Sequence, residues 1–234
     1  MRNALHLAAT QHQPQGIILW DARRLPLPDG CADLVLTDPP YAPRFLPLLP
    51  PVVAEAARVL RPGGFLAVML GTVGLDVLFD AAARAGLQYY ALYALHLAGG
   101  TGTGIVWRRG NGKSMPVIAR VKHVTVFSKG KAVSQTATVN FLNVTNRNPR
   151  RWHEWEQDVH PFRYFVEAFS PPGGLVVDPM GGSGTTAVAA AVVGRRWIVG
   201  DIDLRAVAAI QQRLMGRTDA GLMTPLPLLR AMGV

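Results

Sequence analysis

An acid, two prolines and an aromatic ring follow one another at Asp38-Pro39-Pro40-Tyr41, directly after the apolar run 32–37. A run of that length reads as a short buried strand, so the four residues arrive together at a sheet edge. Consecutive prolines lack an N–H to donate and hold φ fixed, which stops the strand and sets the carbonyl and ring around them rigidly. A carboxylate, a carbonyl and an aromatic face are thus presented to one place. Taken alone, the tetrapeptide is equally a strand-ending turn with a surface tyrosine.

A second stretch carries chemistry of another kind. Residues 175–178, Leu-Val-Val-Asp, read as a buried strand; Pro179-Met180-Gly181-Gly182-Ser183-Gly184-Thr185-Thr186 follows, then an Ala-rich helical segment, 187–193. Strand, glycine loop and helix in succession suit a nucleotide, because glycines allow the tight turn and let backbone N–H groups approach a ligand at the positive helix end. The next strand, 196–201, ends in Asp201, 23 residues past Asp178. That is about the separation at which a second-strand carboxylate meets ribose hydroxyls. A dehydrogenase-type dinucleotide loop is disfavoured, since Ala187 stands where its third glycine belongs.

Together these stretches resemble the amino-methylating DNA methyltransferases, which take a methyl group from S-adenosyl-L-methionine. The methyl-transfer motif precedes the cofactor motif, as in the permuted β arrangement, and the resemblance spans about residues 17–214. Two departures are Met180, where members usually carry Phe, and Asp201, where they usually carry Glu. The resemblance implies Asp38, Pro39, Pro40 and Tyr41 as the catalytic residues. Asp178, Met180, Gly181, Gly182, Ser183, Gly184, Thr185, Thr186 and Asp201 would hold the cofactor, with Asp21 near its adenine and Phe162, after the His160-Pro161 pair, bordering it. The expected reaction is methyl transfer to N6 of adenine in DNA, because Asp at the first motif position is typical of adenine enzymes. N4 of cytosine is the alternative; RNA as substrate, or a non-catalytic cofactor- and nucleic-acid-binding module, are further ones.

Such a reaction needs geometry more than a covalent intermediate. An exocyclic amine is a poor nucleophile because its lone pair is delocalised into the ring. If Asp38 and the Pro39 carbonyl accept both amine hydrogens, the nitrogen is drawn toward tetrahedral geometry and its lone pair turns to the methyl carbon. A base in a duplex must be extruded to reach the site, or the enzyme must use single strands, and Tyr41 would stack on the extruded ring.

Composition bounds this reading. The 234 residues are 49% apolar, enough for one sizeable core. The expectation is one methyltransferase domain over 1–234 with a basic recognition extension at about 99–158. Between Asp80 and Glu154 there is no acidic residue but there are eleven Lys and Arg, so the whole +9 excess sits in one segment. That is the footprint of a polyphosphate partner, here DNA. Within or beside it, Arg44, Arg108, Arg109, Lys113, Arg150, Arg151 and Trp152 are the expected nucleic-acid contacts, cations interleaved with an aromatic. The single Cys31 and the scattered His123, His153 and His160 suggest no disulfide framework and no metal site. No apolar run reaches 18 residues, so a soluble, cytoplasmic protein without a membrane partner is expected; a homodimer is compatible.

The elements that must position these residues follow the same pattern. Strands are expected near 17–21, 32–37, 65–70, 88–97, 120–127, 175–178 and 196–201. Helices are expected over 52–60, 75–85, from His160, over 187–193 and over 204–214. Residues 42–51, with four further prolines, cannot be a long helix interior. Residues 129–158 show weak periodicity. The fold implied is α/β, a mostly parallel, doubly wound, Rossmann-like methyltransferase sheet with an antiparallel edge strand pair formed by 88–97 and 120–127.

Overall fold

The structure is a computed structural model that describes residues 15–40, 42–98, 107–108, 114–115, 121–145 and 158–215; at 97–98, 107–108, 114–115 and 145 it describes the backbone only. In chain order the elements are β1 Gly16–Leu19, β2 Ala32–Thr37, a 3-10 turn Pro43–Leu48, α1 Leu49–Val59, β3 Leu60–Leu70, α2 Leu75–Arg84 and β4 Gln88–Ala98. There follow β5 Trp107–Arg108, β6 Ser114–Met115, β7 Val121–Ser128, β8 Phe141–Thr145, α3 Val159–Phe169, β9 Leu175–Asp178, α4 Thr185–Val192, β10 Arg196–Asp201 and α5 Leu204–Met215. Eight strands form one sheet in the order β1-β10-β9-β2-β3-β7-β4-β8, while β5 and β6 pair separately.

Alternation along the strands sends side chains to two cores. Leu34, Leu36, Phe65, Ala67, Met69, Val176, Trp197 and Val199 face α3, α4 and α5, which contribute Phe162, Phe165, Val166, Ala187, Val188 and Ile210. The residues between them, Val35, Leu66, Val68, Leu70, Val177 and Ile198, face α1 and α2, which contribute Val53, Ala56, Ala57, Leu78 and Ala81. A period of two buried on both faces is what a doubly wound sheet requires.

The pairs β1·β10, β10·β9, β9·β2, β2·β3 and β4·β8 are parallel. Strand β7 runs antiparallel to both β3 and β4. The expected antiparallel pair is therefore present, but β8 lies outside it and forms the sheet's border. Strand β8 comes from the weakly periodic segment and borrows its pairing from β4, with Ala94 opposite Phe141 and Leu97 opposite Val144. Strand β3 begins earlier than the apolar run suggests: Leu60 pairs with Ala32 and Phe65 with Leu34, so Arg61-Pro62-Gly63-Gly64 forms an irregularity inside the strand rather than a stop before it. Pro50 and Pro51 fall in the first turn of α1, where the missing N–H groups would have no helical partner.

The buried carboxylate of Asp33 fixes the register of β2. It accepts from the Leu175 N–H at 2.7 Å and from Arg61 Nε at 2.5 Å, tying the starts of β9 and β3 to β2. With Leu34 opposite Val176 and Val35 opposite Val177, the C-terminal ends of β2 and β9 emerge side by side.

Gly200 illustrates how tightly the β1 side is closed. A Cβ there would collide with the Ile18 carbonyl and the Trp20 ring. Gly200→Ala is expected to cost about 2 kcal/mol and to lower the thermal midpoint by roughly 4–8 °C in scanning calorimetry; an unchanged midpoint would contradict this packing.

Candidate active site and cofactor cradle

Asp38 follows β2 directly, and its side chain is only 15% exposed. Two prolines shape the backbone beyond it: Pro39 has φ fixed by its own ring and, because it precedes Pro40, is confined to extended ψ. The direction of the Pro39 carbonyl is thereby set twice over. Pro39 is buried and Pro40 exposed; Tyr41 lies outside the described residues. The chain then enters the 3-10 turn, where Arg44 is exposed with its guanidinium 4.7 Å over the Phe45 ring.

The glycine loop leaves β9 at the same edge. Asp178, 3% exposed, accepts from the Thr186 hydroxyl at 2.6 Å and the Met180 N–H at 3.1 Å, closing the loop onto the start of α4. Burial pushes the Asp178 carboxyl up to about 7, opposed by those two hydrogen bonds. The Gly181 N–H donates to the Gly200 carbonyl at 2.8 Å, Gly182 N–H to Asp201 Oδ2 at 3.0 Å and Gly184 N–H to the Gly181 carbonyl at 2.7 Å. These loop donors are committed within the protein, so the glycines contribute close approach rather than N–H groups for a ligand.

The three glycines divide that task. Gly181 and Gly184 pack on α5, where an added Cβ would meet Ile210 at 3.2 and 3.0 Å. Gly182, at φ +50°, has nothing within 4 Å of such a Cβ and opens toward space. Gly184, at φ +77°, is the N-cap of α4, a conformation that favours glycine.

Asp201 lies against the Gly182 N–H, and Asp21 follows Trp20, which is tied to the Asp201 carbonyl at the same sheet edge. Asp201 accepts one hydrogen bond on each oxygen, from Gly182 N–H and from Asp203 N–H, and keeps further acceptor capacity. Trp20 joins β1 to this edge, its N–H donating to the Asp201 carbonyl at 3.0 Å and its indole Nε1 to the Pro179 carbonyl at 2.9 Å. Asp21 comes next, its carboxylate gripped by Arg23 with the closest contact at 2.6 Å. Phe162, by contrast, is 3% exposed within the core beneath the sheet, on a helix whose N-cap Asp158 accepts from the His160 N–H at 3.0 Å. Arg108 is described only as strand backbone, and Arg109, Lys113, Arg150, Arg151 and Trp152 lie outside the described residues.

Two functional contacts were not foreseen from the sequence. Lys122, near the start of β7, extends past the end of β3 to place its Nζ 2.6 Å from Asp38 Oδ2, with side-chain exposures of 11% and 15%. Arg213, 4% exposed, donates through Nη1 to the Ser183 carbonyl, the Ser183 hydroxyl and the Thr185 hydroxyl at 3.0, 3.1 and 3.0 Å. Each left a sequence trace. Lys122 interrupts a β-branched strand pattern, and Arg213 stands seven residues after Ala206 on the buried stripe that includes Ile210.

Among the described residues no group of three or more His, Cys, Asp or Glu could hold a metal ion, and no helix is long and apolar enough to cross a membrane.

With this geometry in view, comparisons with known proteins are specific. A family model described as DNA methylase matches residues 32–212. The putative methylase YubD of Escherichia coli (strain K12) is 28% identical over 201 residues, covering 80% of this chain and 83% of that protein. Two solved structures share the fold. PvuII DNA methyltransferase, cytosine-N4-specific, superposes with a TM-score of 0.70 at 21% identity, covering 84% of this chain and 85% of the other. A putative DNA modification methylase from Thermus thermophilus, complexed with S-adenosyl-L-methionine, does so at 0.72 and 19% identity, covering 94% and 100%.

The raised Asp178 carboxyl has a measurable sign. Between the ordinary carboxylate value of 3.8 and about 7 the folded chain holds a proton that the unfolded chain has released. This contribution to stability is therefore full at low pH and declines as pH rises toward 7. Asp178→Asn removes it, so the thermal midpoint of the variant relative to the wild type should be higher at pH 8 than at pH 5; an equal difference at both would contradict the burial argument.

Proposed function

The chain belongs to the DNA methylase family of N6/N4 amino-methyltransferases, and from that premise we propose that it transfers a methyl group from S-adenosyl-L-methionine to N6 of adenine in DNA. The observation that carries this reading is the shared edge: Asp38 and the Gly181–Gly184 loop follow the paired ends of β2 and β9. Adenine is preferred because the motif begins with Asp rather than Ser.

The open face at Gly182 would leave room for the donor, Asp201 retains acceptor capacity for ribose hydroxyls, and Asp21 would lie near the adenine, as the resemblance implies. Met180 and Ser183 through Thr186 complete the wall, and Phe162 would act from beneath. When bound, S-adenosyl-L-methionine supplies an activated methyl on a sulfonium.

What the protein then does is align the acceptor. Asp38 and the Pro39 carbonyl accept the two hydrogens of the exocyclic amine, which frees the nitrogen lone pair from the ring. The nearly dehydrated setting of Asp38 makes these hydrogen bonds stronger than they would be in water. As the new N–C bond forms, the amine sheds a proton, and Asp38 is the group placed to receive it. Tyr41 stacks on the base, taken from duplex DNA by extrusion or from a single strand. Arg44, Arg108, Arg109, Lys113, Arg150, Arg151 and Trp152 would supply backbone and stacking contacts to the nucleic acid.

The test is transfer of labelled methyl from S-adenosyl-L-methionine to DNA, followed by digestion to nucleosides and mass spectrometry. N6-methyladenine is expected; N4-methylcytosine would move the assignment to the alternative acceptor, and no methylated nucleoside would overturn it. Asp38→Ala would remove the carboxylate that Lys122 meets in a part-buried setting, so Asp38→Asn, which keeps the shape and an acceptor oxygen, is the cleaner variant. It should keep donor affinity and lower kcat on the order of 10²-fold or more. Gly182→Leu should weaken donor binding by more than about tenfold in calorimetric titration while moving the thermal midpoint only a few degrees; unchanged affinity would count against the cradle.

A further inference from the structure

Asp38 can serve the reaction only if its carboxylate is held in one orientation. Asp38 is attached at the end of β2, where the strand has stopped and the prolines constrain the backbone but not χ1 and χ2 of the acid itself. A contact from outside its own turn comes from Lys122, two strands away across β3, with Nζ on Oδ2 at 2.6 Å. Because β7 runs antiparallel to β3, residues near its start lie at the edge where β2 ends. No shift of one residue along β7 would serve, since the side-chain period is two and His123 points to the opposite face.

Stability does not explain the pair. Dehydrating an ammonium and a carboxylate costs roughly what their attraction returns, so a buried ion pair is weak evidence for folding energy. Just past the other end of the same strand, which closes at Ser128, stands a lysine that does have a structural task. Lys129 Nζ donates to the carbonyls of Ala57 and Leu60, both at 2.7 Å, and closes a helix end at the opposite edge. Lys122 instead meets the carboxylate of the reactive turn.

We infer that Lys122 is a positioning residue for methyl transfer: its ammonium holds Asp38 Oδ2 and so fixes the plane in which the carboxylate meets the substrate amine. This rests on the amino-methyltransferase reading given above. A carboxylate rotated by tens of degrees would still bind the amine but would leave its lone pair off the line to the methyl carbon. Misplacement of that size is worth on the order of 10²-fold in rate.

The test compares Lys122→Met, Lys122→Gln and Lys122→Arg with the wild type for kcat, DNA KM and S-adenosyl-L-methionine affinity, the last by calorimetry. Lys122→Met is expected to lower kcat on the order of 10²-fold at near-unchanged donor affinity and DNA KM, with Lys122→Gln intermediate and Lys122→Arg recovering most of kcat. A lysine that merely met DNA phosphate would instead raise DNA KM and flatten its salt dependence while sparing kcat. That result, or a wild-type kcat in whichever of Lys122→Met and Lys122→Gln keeps donor affinity, overturns the assignment. Absence of transfer by the wild type would overturn the underlying reading instead, so the two failures are distinguishable.

Discussion

The parallel pairing of β2 with β9, Leu34 against Val176 and Val35 against Val177, is the constraint on which the rest of the molecule depends. The residues that would hold the acceptor amine and those that would hold the methyl donor are some 140 positions apart in the chain, and this register alone makes them neighbours. A slip of one residue would exchange the two core faces and turn Leu34 and Leu36 toward the wrong helices. Asp33 guards against that slip. One carboxylate binds the first N–H of β9 and a guanidinium from β3, at the end of β2 away from the site. One end of a six-residue strand thus fixes register and the other delivers Asp38.

Charge at the functional edge is treated differently from charge elsewhere. Arg84 with Asp80 and Arg163 with Glu167 are exposed pairs one helical turn apart, of the kind that adds little. At the functional edge three ionisable groups are withdrawn from water and each meets named partners: Asp38 has Lys122, Asp178 has Thr186 and the Met180 N–H, and Arg213 has the Ser183 and Thr185 oxygens. Such groups are expensive to misplace, which restricts the loops they bind to few conformations. The glycine loop is accordingly held from below by Asp178, from the side by Asp201 and from α5 by Arg213, leaving Gly182 as the open face.

How far this was legible from the sequence follows from what each feature depends on. Asp38, Asp178, the glycine loop and Asp201 are local signals, a strand period of two ending in acid or glycine, and local signals survive reading along the chain. The helices at Leu75–Arg84 and Leu204–Met215 were likewise evident from spacing alone. Strand β8 was not, because Phe141–Thr145 acquires its conformation from β4 rather than from its own pattern. Asp33 was absorbed into an apolar run, and Lys122 into a count of positive charge, since an ion pair across two strands is a property of register and not of composition. Phe162 marks a milder limit: its place after His160-Pro161 suggested the cofactor, and its burial in the core shows how an apolar residue at a helix start serves packing first.

The proposed chemistry requires one cleft in which donor and acceptor meet across the β2 and β9 ends. The measurement that tests it most directly is a crystal structure of the protein with DNA and a non-transferable S-adenosyl-L-methionine analogue. The analogue is expected against Gly182 and an exocyclic amine nitrogen on Asp38 and the Pro39 carbonyl, with that nitrogen about 3–3.5 Å from the position of the transferable methyl. An analogue bound away from the glycine loop, or a base amine that never reaches Asp38, would contradict it.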